Sequence, residues 1–337
     1  MKRMIRSLII ILTLGSLTAC ASAGQEAEQS QVSFFAMDTY MTLTAYGEGG
    51  EKALGDVREE IQTLESEWSV TDTESEIYQV NHSDGNPVEL SGDTAKVVEF
   101  ALDMAKKTEG ALDPTIYPVL EAWGFTTDEN RIPEPEELQA LLEHVGYENV
   151  ELNGQEILLP EGRELDLGAV GKGYAGDVAA EMLEEQGITS ALLDLGGNIQ
   201  AIGSRPGGGD WRLGIRNPFG DGQVGMLTVS DCAVVTSGSY ERYFVGEDGR
   251  EYCHIIDPAT GYPVDNGLVS MTIVADALST SMFVKGLEGA EEYWREHQDF
   301  EMIAITKEGD VYVTEGLEDR FTLDSSFENM ELHIVEE

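Results

Sequence analysis

The stretch Leu165 to Asp177, LDLGAVGKGYAGD, sets four glycines, one lysine and two aspartates where a strand is expected to feed a helix. Gly168, Gly171, Gly173 and Gly176 let the backbone approach a bulky anion without Cβ clashes, and the helix that follows offers unpaired N–H groups at its positive end. Lys172 adds a mobile positive charge. The chemistry is that of a phosphate cradle. The same residues, Gly171-Lys172-Gly173-Tyr174-Ala175-Gly176, satisfy the GxGxxG pattern of a Rossmann dinucleotide site, so two kinds of phosphate ligand compete. A second run, Ala275 to Thr280, places Asp276 and Thr280 four residues apart on one face of an expected helix. A carboxylate and a hydroxyl there suit Mg²⁺, which takes one or two carboxylates and completes its shell with phosphate oxygens and water. Asp276 as an N-cap and Thr280 back-bonding within the helix is the plainer reading. Third, Cys253 to Val264 ends a strand at Ile256 and turns through Asp257-Pro258 and Thr260-Gly261. His254 stands near that turn, either as a structural residue or as a base for an attacking hydroxyl. Fourth, Gly110 to Ile116 repeats an Asp-Pro-Thr turn behind a helix.

These groups must be carried by a frame of mixed elements. Apolar spacing predicts helices over 51–67, 92–107, 136–144, 174–186 and 276–287. Strands are expected over 32–46, 157–159, 164–167, 191–195, 211–215, 225–230, 233–236, 252–256, 268–274, 302–306 and 311–314. Strands outnumber helices, and the second half runs strand after strand. The fold class expected is α+β, one large domain with a mostly antiparallel sheet flanked by helices. No repeat or Pro/Ser-rich linker breaks the body, and the polar stretch 126–137 reads as a loop leading into a helix.

That organisation weighs on the Rossmann alternative. In its favour, Asp194 near the end of the next strand sits about where a ribose-binding acid would. Against it, the unit begins deep in the chain without further βαβ repeats, and Lys172 occupies a position that needs close backbone approach.

At the N-terminus Lys2, Arg3 and Arg6 precede an apolar run, Leu8 to Leu14, that closes on Leu17-Thr18-Ala19-Cys20. This is the order of a secretory signal, and its final cysteine resembles a bacterial lipobox in which Cys20 takes lipid. The expected division is a signal peptide over 1–19, a lipidated tether over 20–31 and a folded body over 32–337. The location expected is the cell membrane, on its extracytoplasmic side, through a lipid anchor. The formal net charge of −44 argues against nucleic acid as a partner. It leaves room for an anionic ligand if a divalent cation and local bases reverse the sign of the site. Cys232 and Cys253 either pair in an oxidising compartment or stay as buried thiols. Cys253 and His254 are adjacent on a strand and point to opposite faces, which speaks against a catalytic dyad.

Taken in order behind the lipobox, the runs resemble the FAD:protein FMN transferase family, the ApbE-type flavin transferases. The match takes in Ala36-Met37-Asp38-Thr39, Trp68-Ser69 with Ser75-Glu76-Ile77, Ala111-Leu112-Asp113-Pro114-Thr115 and 166–177. It continues through Asp194-Leu195-Gly196-Gly197-Asn198, Thr236-Ser237-Gly238, His254 to Pro258 and Asp276 to Thr280. The resemblance implies a T-fold-like body that cleaves FAD at its pyrophosphate, joins FMN to a threonine or serine of a target protein, and releases AMP with Mg²⁺ as cofactor. It also implies roles. Asp276, Thr280 and the Ala169 carbonyl would hold the metal. Met37, Ala111, Leu112, Asp113, Asp166, Lys172 and Ile256 would line the FAD site, and His254 would stand beside the reacting phosphate, so that His254 and Asp276 are the catalytic pair. The partners implied are FAD and the FMN-acceptor domains of exported or membrane redox proteins. Two places depart from the family pattern. Thr71 stands where an aromatic usually follows Trp68-Ser69, and Val274-Ala275 runs into Asp276 without the extra turn. The same site with water as acceptor would be an FAD pyrophosphatase, and without catalysis a flavin-binding lipoprotein.

Overall fold

The computed structural model describes residues 28–127, 129–275, 278–327 and 329–337. The signal, Cys20 and most of the tether lie outside the described residues, as do Asp276 and Ala277.

The described chain opens on a hairpin, β1 (Gln29–Ala36) and β2 (Thr39–Tyr46). It splits the single strand expected over 32–46, because Met37 and Asp38 both take positive φ, 49° and 57°. Two central residues in that region make the tight turn whose twist matches antiparallel strands. Helices α1 (Gly50–Trp68), α2 (Glu76–Asn81), α3 (Gly92–Lys107), α4 (Tyr117–Trp123) and α5 (Pro135–Leu142) follow. Three short strands, β3 (Val88–Glu89), β4 (Glu151–Asn153) and β5 (Glu156–Leu158), form a small sheet beside them. Then come α6 (Gly171–Glu185), β6 (Ser190–Asp194), β7 (Asn198–Gly203), β8 (Trp211–Arg216), β9 (Gln223–Val229) and β10 (Cys232–Gly238). The chain closes with β11 (Tyr243–Val245), β12 (Glu251–Cys253), β13 (Leu268–Val274), α7 (Ser279–His297), β14 (Glu301–Thr306), β15 (Val311–Thr314), β16 (Phe321–Leu323) and β17 (Leu332–Val335).

Among the described residues nine strands make the main sheet, in the order β1-β2-β6-β7-β10-β13-β14-β15-β17. Its pairs are antiparallel except β15 with β17. This is the mixed α and β body with a mostly antiparallel sheet that strand density implied. One face is covered by helices. On α1 the buried residues Ala53, Leu54, Val57, Ile61, Leu64 and Trp68 form a single stripe that meets Met41, Leu43 and Ala45 of β2 in one core. The other face is covered at its centre by the sheet β16-β9-β8. β14 shows why its sequence is a continuous apolar run: Met302 and Ala304 join the helix-side core, while Ile303 and Ile305 join the core beneath the small sheet.

Other expectations need correction. The segment 164–167 is extended but not a ladder strand. Asn81 Nδ2 donates to the Leu165 carbonyl at 2.9 Å, Leu165 N donates to Asn81 Oδ1 at 2.7 Å and Asp166 N to the Pro114 carbonyl at 2.8 Å. One side chain and one loop thus satisfy backbone that a sheet would otherwise pair. The last helix continues to His297 past a break at Gly286, φ 74°. Asn266 Nδ2 donates to the Phe283 carbonyl at 2.7 Å and so satisfies a group released by the break. The strand expected over 252–256 stops at Cys253, and Ile256 keeps only a bridge to Pro263.

Candidate active site

A cavity of 1320 Å³ opens where the β1–β2 turn, the start of α6, the β6–β7 turn, the end of β10 and the segment after β12 converge. Met37, Ala111, Leu112, Asp113, Asp166, Ala169, Lys172, His254, Ile256 and Thr280 all line it. These residues come from five separate stretches of chain, and the fold brings them to one cavity. Asp276 lies outside the described residues.

α6 begins at Gly171, so Lys172 sits in its first turn rather than in a loop before it. The Val170 and Gly171 amides both donate to the Leu167 carbonyl, at 3.0 and 2.7 Å. Among the described residues the amides of Lys172 and Gly173 have no acceptor. The helix start therefore offers two free donors next to the lysine, as an anion site requires. Gly171 and Gly176 serve packing as well: a Cβ at Gly171 would touch Trp68 at 3.5 Å, and one at Gly176 would crowd Leu195 at 3.2 Å. The Rossmann alternative falls here. β6 pairs antiparallel with both β2 and β7, so among the described residues no parallel βαβ unit is built around α6. Asp194 Oδ1 accepts from the Gly196 and Gly197 amides, both at 3.0 Å, and holds the β6–β7 turn instead of a ribose.

Asp113 is buried, and both its oxygens are used by its own surroundings. Oδ1 accepts from Thr115 N at 2.9 Å and from the Thr115 hydroxyl at 2.6 Å, and Oδ2 accepts from Tyr147 N at 3.0 Å. Burial pushes its carboxyl up while those hydrogen bonds hold it down. Its work is to fix the turn that presents Ala111 and Leu112 to the cavity. Asp166 is also pushed up by burial, against the Gly168 amide and the charges of Arg242 and Lys172. Burial pulls the Lys172 ammonium below the ordinary lysine range, with Glu241, Asp38 and Asp166 opposing the fall and Arg242 adding to it.

His254 faces the cavity while Cys253 turns away, with Sγ 3.7 Å from the Ile255 carbonyl. Both described cysteines are free thiols. The His254 Nδ1 lies 3.2 Å from the Arg242 carbonyl, which can only accept, so Nδ1 carries the proton and Nε2 keeps its lone pair. Burial lowers the imidazole pKa from 6.5 to about 4, helped by the nearby charges of Arg242 and Lys172. Near pH 7 the ring is therefore a neutral acceptor.

Sequence reasoning missed Arg242. Its carbonyl receives both the His254 amide, at 3.0 Å, and the ring; its guanidinium pairs with Asp38 at 3.0 Å and donates to the Phe125 carbonyl at 2.8 Å. One residue thus ties the hairpin turn, the loop after α4 and the histidine together. The available signal was scarcity: only 20 of the 337 residues are Lys or Arg, so a base in a run of aromatics is uncommon here. Glu65 was missed as well. It accepts from Met37 N at 2.6 Å and holds the strained turn against α1.

Beside these, the Ser237 hydroxyl lies 2.9 Å from that of Ser279 and 3.2 Å from that of Thr280. With the Ala169 backbone on the same wall, this is an all-oxygen donor set. Among the described residues the cavity carries three bases, Lys172, Arg216 and Arg242, against six acids, Asp38, Glu65, Asp113, Asp166, Asp194 and Glu241. A pyrophosphate entering such a site adds negative charge to an acidic excess, which a divalent cation relieves. Oxygen donors and charge both fit Mg²⁺. Trp68 also lines the cavity, while its indole Nε1–H is buried with no acceptor among the described residues. Thr71 lines the wall where an aromatic was missing, its hydroxyl 3.3 Å from that of Ser69.

Comparison with known proteins agrees with this geometry. The chain is 32% identical over 281 residues to an FAD:protein FMN transferase of Klebsiella pneumoniae (strain 342), covering 80% of this chain and 87% of that one. It is 32% identical over 349 residues to the enzyme of the same name from Treponema pallidum (strain Nichols), covering 95% and 96%. Among solved structures, the ApbE protein of Thermotoga maritima superposes with a TM-score of 0.79 at 29% identity, over 90% of this chain and 99% of that one. The flavin transferase ApbE of Vibrio cholerae gives 0.75 at 29% identity, over 90% and 99%. With the family profile matching residues 37–304, this chain belongs to the ApbE family.

Proposed function

We propose that this protein transfers FMN from FAD to a threonine or serine hydroxyl of a target protein and releases AMP. The observation that carries the reading is a cavity lined together by Lys172 of the first turn of α6, a neutral His254 and Thr280. Phosphoryl transfer asks for positioning and for charge opposite the equatorial oxygens, and these groups supply both. Lys172 and the α6 amides bind the pyrophosphate. The His254 Nε2 accepts the proton of the attacking hydroxyl as its oxygen bonds to the FMN phosphorus. The bond from that phosphorus to the bridging oxygen breaks, and AMP leaves with that oxygen. Met37, Ala111, Leu112, Asp166 and Ile256 enclose the dinucleotide, and Asp113 keeps its turn in place. Thr280, the Ala169 carbonyl and Asp276 would hold Mg²⁺, which supplies neutralisation of pyrophosphate charge.

The N-terminal pattern supports a lipid anchor at Cys20 on the extracytoplasmic side of the membrane, which places the enzyme beside exported acceptors. AMP release measured with and without an acceptor domain tests the reaction. Transfer requires AMP and labelled acceptor in equal amounts; AMP that forms equally well without acceptor would identify an FAD pyrophosphatase instead.

A further inference from the structure

Transfer to a protein hydroxyl needs a macromolecule at the cavity mouth, and the β1–β2 hairpin lines that cavity through Phe35, Met37, Asp38 and Thr39. Among the described residues its outer face is left open. Side chains at alternate positions point to one face of a strand, and on this face stand Gln31, Ser33 and Phe35 from β1 and Tyr40, Thr42 and Thr44 from β2. The opposite face of β2, Met41, Leu43 and Ala45, is fully buried against the helices. None of the six outward residues carries a charge, in a protein of which 25% is charged and whose net charge is −44.

The hairpin end beside the cavity carries two aromatics. Phe35 and Tyr40 are direct cross-strand partners, 62% and 65% exposed, and Phe35 also lines the cavity. Two large rings held side by side in water are uncommon unless something covers them. They are not on a loose tip. The turn between them is fixed by Met37 N to Glu65 at 2.6 Å and by the pair of Asp38 with Arg242 at 3.0 Å. The Ser33 and Thr42 hydroxyls meet at 3.1 Å behind them. β1 is also an edge strand with β2 as its one partner among the described residues, and no Lys, Glu or Pro blocks that edge.

We infer that this face is the docking surface for the flavin-acceptor protein, with Phe35 and Tyr40 as its anchors and the cavity as the place its hydroxyl enters. The inference rests on the transferase reading. A second copy of this chain fits less well, because two bodies of charge −44 repel each other. An acceptor bearing apolar side chains beside its threonine or serine covers the rings and reaches the cavity from the same side. Rigid aromatic anchors of this kind carry a large share of binding energy at protein interfaces.

The test uses the full-length protein with saturating FAD and Mg²⁺ and the purified FMN-acceptor domain of an exported redox protein as probe. Tyr40 does not line the cavity, so Tyr40→Thr keeps the strand and removes one anchor. The half-saturating acceptor concentration should rise about tenfold or more, with the maximal rate and the FAD affinity, read by flavin fluorescence, unchanged. Tyr40→Phe, which retains the ring, should behave as the wild type. An unchanged acceptor dependence in Tyr40→Thr overturns the proposal, as does a parallel loss of FAD affinity. A wild-type protein that binds FAD yet labels no acceptor at any concentration would instead refute the transferase reading, and the docking surface with it.

Discussion

Replacing His254 by glutamine should change how the protein's stability responds to acid. In the folded protein the half-buried ring sits beside Arg242 and Lys172, and desolvation lowers its pKa from 6.5 to about 4. In the unfolded chain it returns to 6.5. Because the unfolded state takes up the proton first, stability is complete above the unfolded value and is lost as pH falls toward and through the folded one. At 1.36 kcal/mol per unit, the full loss comes to about 3 kcal/mol, of which about 2.5 kcal/mol is felt between pH 7 and roughly 4.5. Carboxylate protonation affects wild type and His254→Gln alike, so the difference between the two proteins isolates the histidine. Urea unfolding of both across that range measures it. The wild type should lose about 2.5 kcal/mol more than the variant on acidification. The ring's own titration, followed by NMR at Cε1 and assigned by its absence from the variant, should show a midpoint well below 6. A stability difference that does not vary with pH, or a midpoint near 6.5, would refute the reasoning that burial and two neighbouring cations keep this base neutral.

Other substitutions probe the rest of the wall. Lys172→Ala should weaken FAD binding by about 10- to 100-fold, the equivalent of one charge-assisted hydrogen bond, and the loss should deepen as Mg²⁺ is withdrawn; calorimetric titration at two Mg²⁺ concentrations measures both. Gly196→Ala should destabilise by about 2–4 kcal/mol, seen as a lower urea midpoint, since the residue holds φ 74° and its new Cβ would overlap the Thr39 side chain. Cys20→Ser should move the protein from the membrane fraction to the soluble fraction, read by fractionation and immunoblot.

Much of this was legible in the chain because long elements advertise themselves. α1 and α3 repeat their apolar residues over four or more turns, and β14 is a run of residues buried on both faces. The hairpin turn was not legible, since Met37 and Asp38 adopt positive φ without the glycine or asparagine that usually marks it. Leu165 and Leu167 are buried at alternate positions as in a strand, yet the backbone of Leu165 is satisfied by Asn81 and the Asp166 amide by the Pro114 carbonyl, both far away in sequence. The short helices α2 and α4 hold too few turns for periodicity to show; α2 is set by Ser75, whose hydroxyl accepts from Tyr78 N at 3.0 Å. At the site, the glycine run, Lys172 and His254 stood out by type and spacing. Arg242 did not, because its importance lies in contacts with Asp38 and Phe125 that only the tertiary fold creates.

Where the FMN goes separates a transferase from an FAD hydrolase most directly. Full-length protein, FAD, Mg²⁺ and an acceptor domain should be incubated together, and the acceptor's intact mass followed by fragment mapping. One FMN joined through a phosphoester to a threonine or serine, formed with one AMP and abolished by chelating the metal, is the predicted result. An acceptor of unchanged mass in a mixture where FAD is bound or consumed would contradict it.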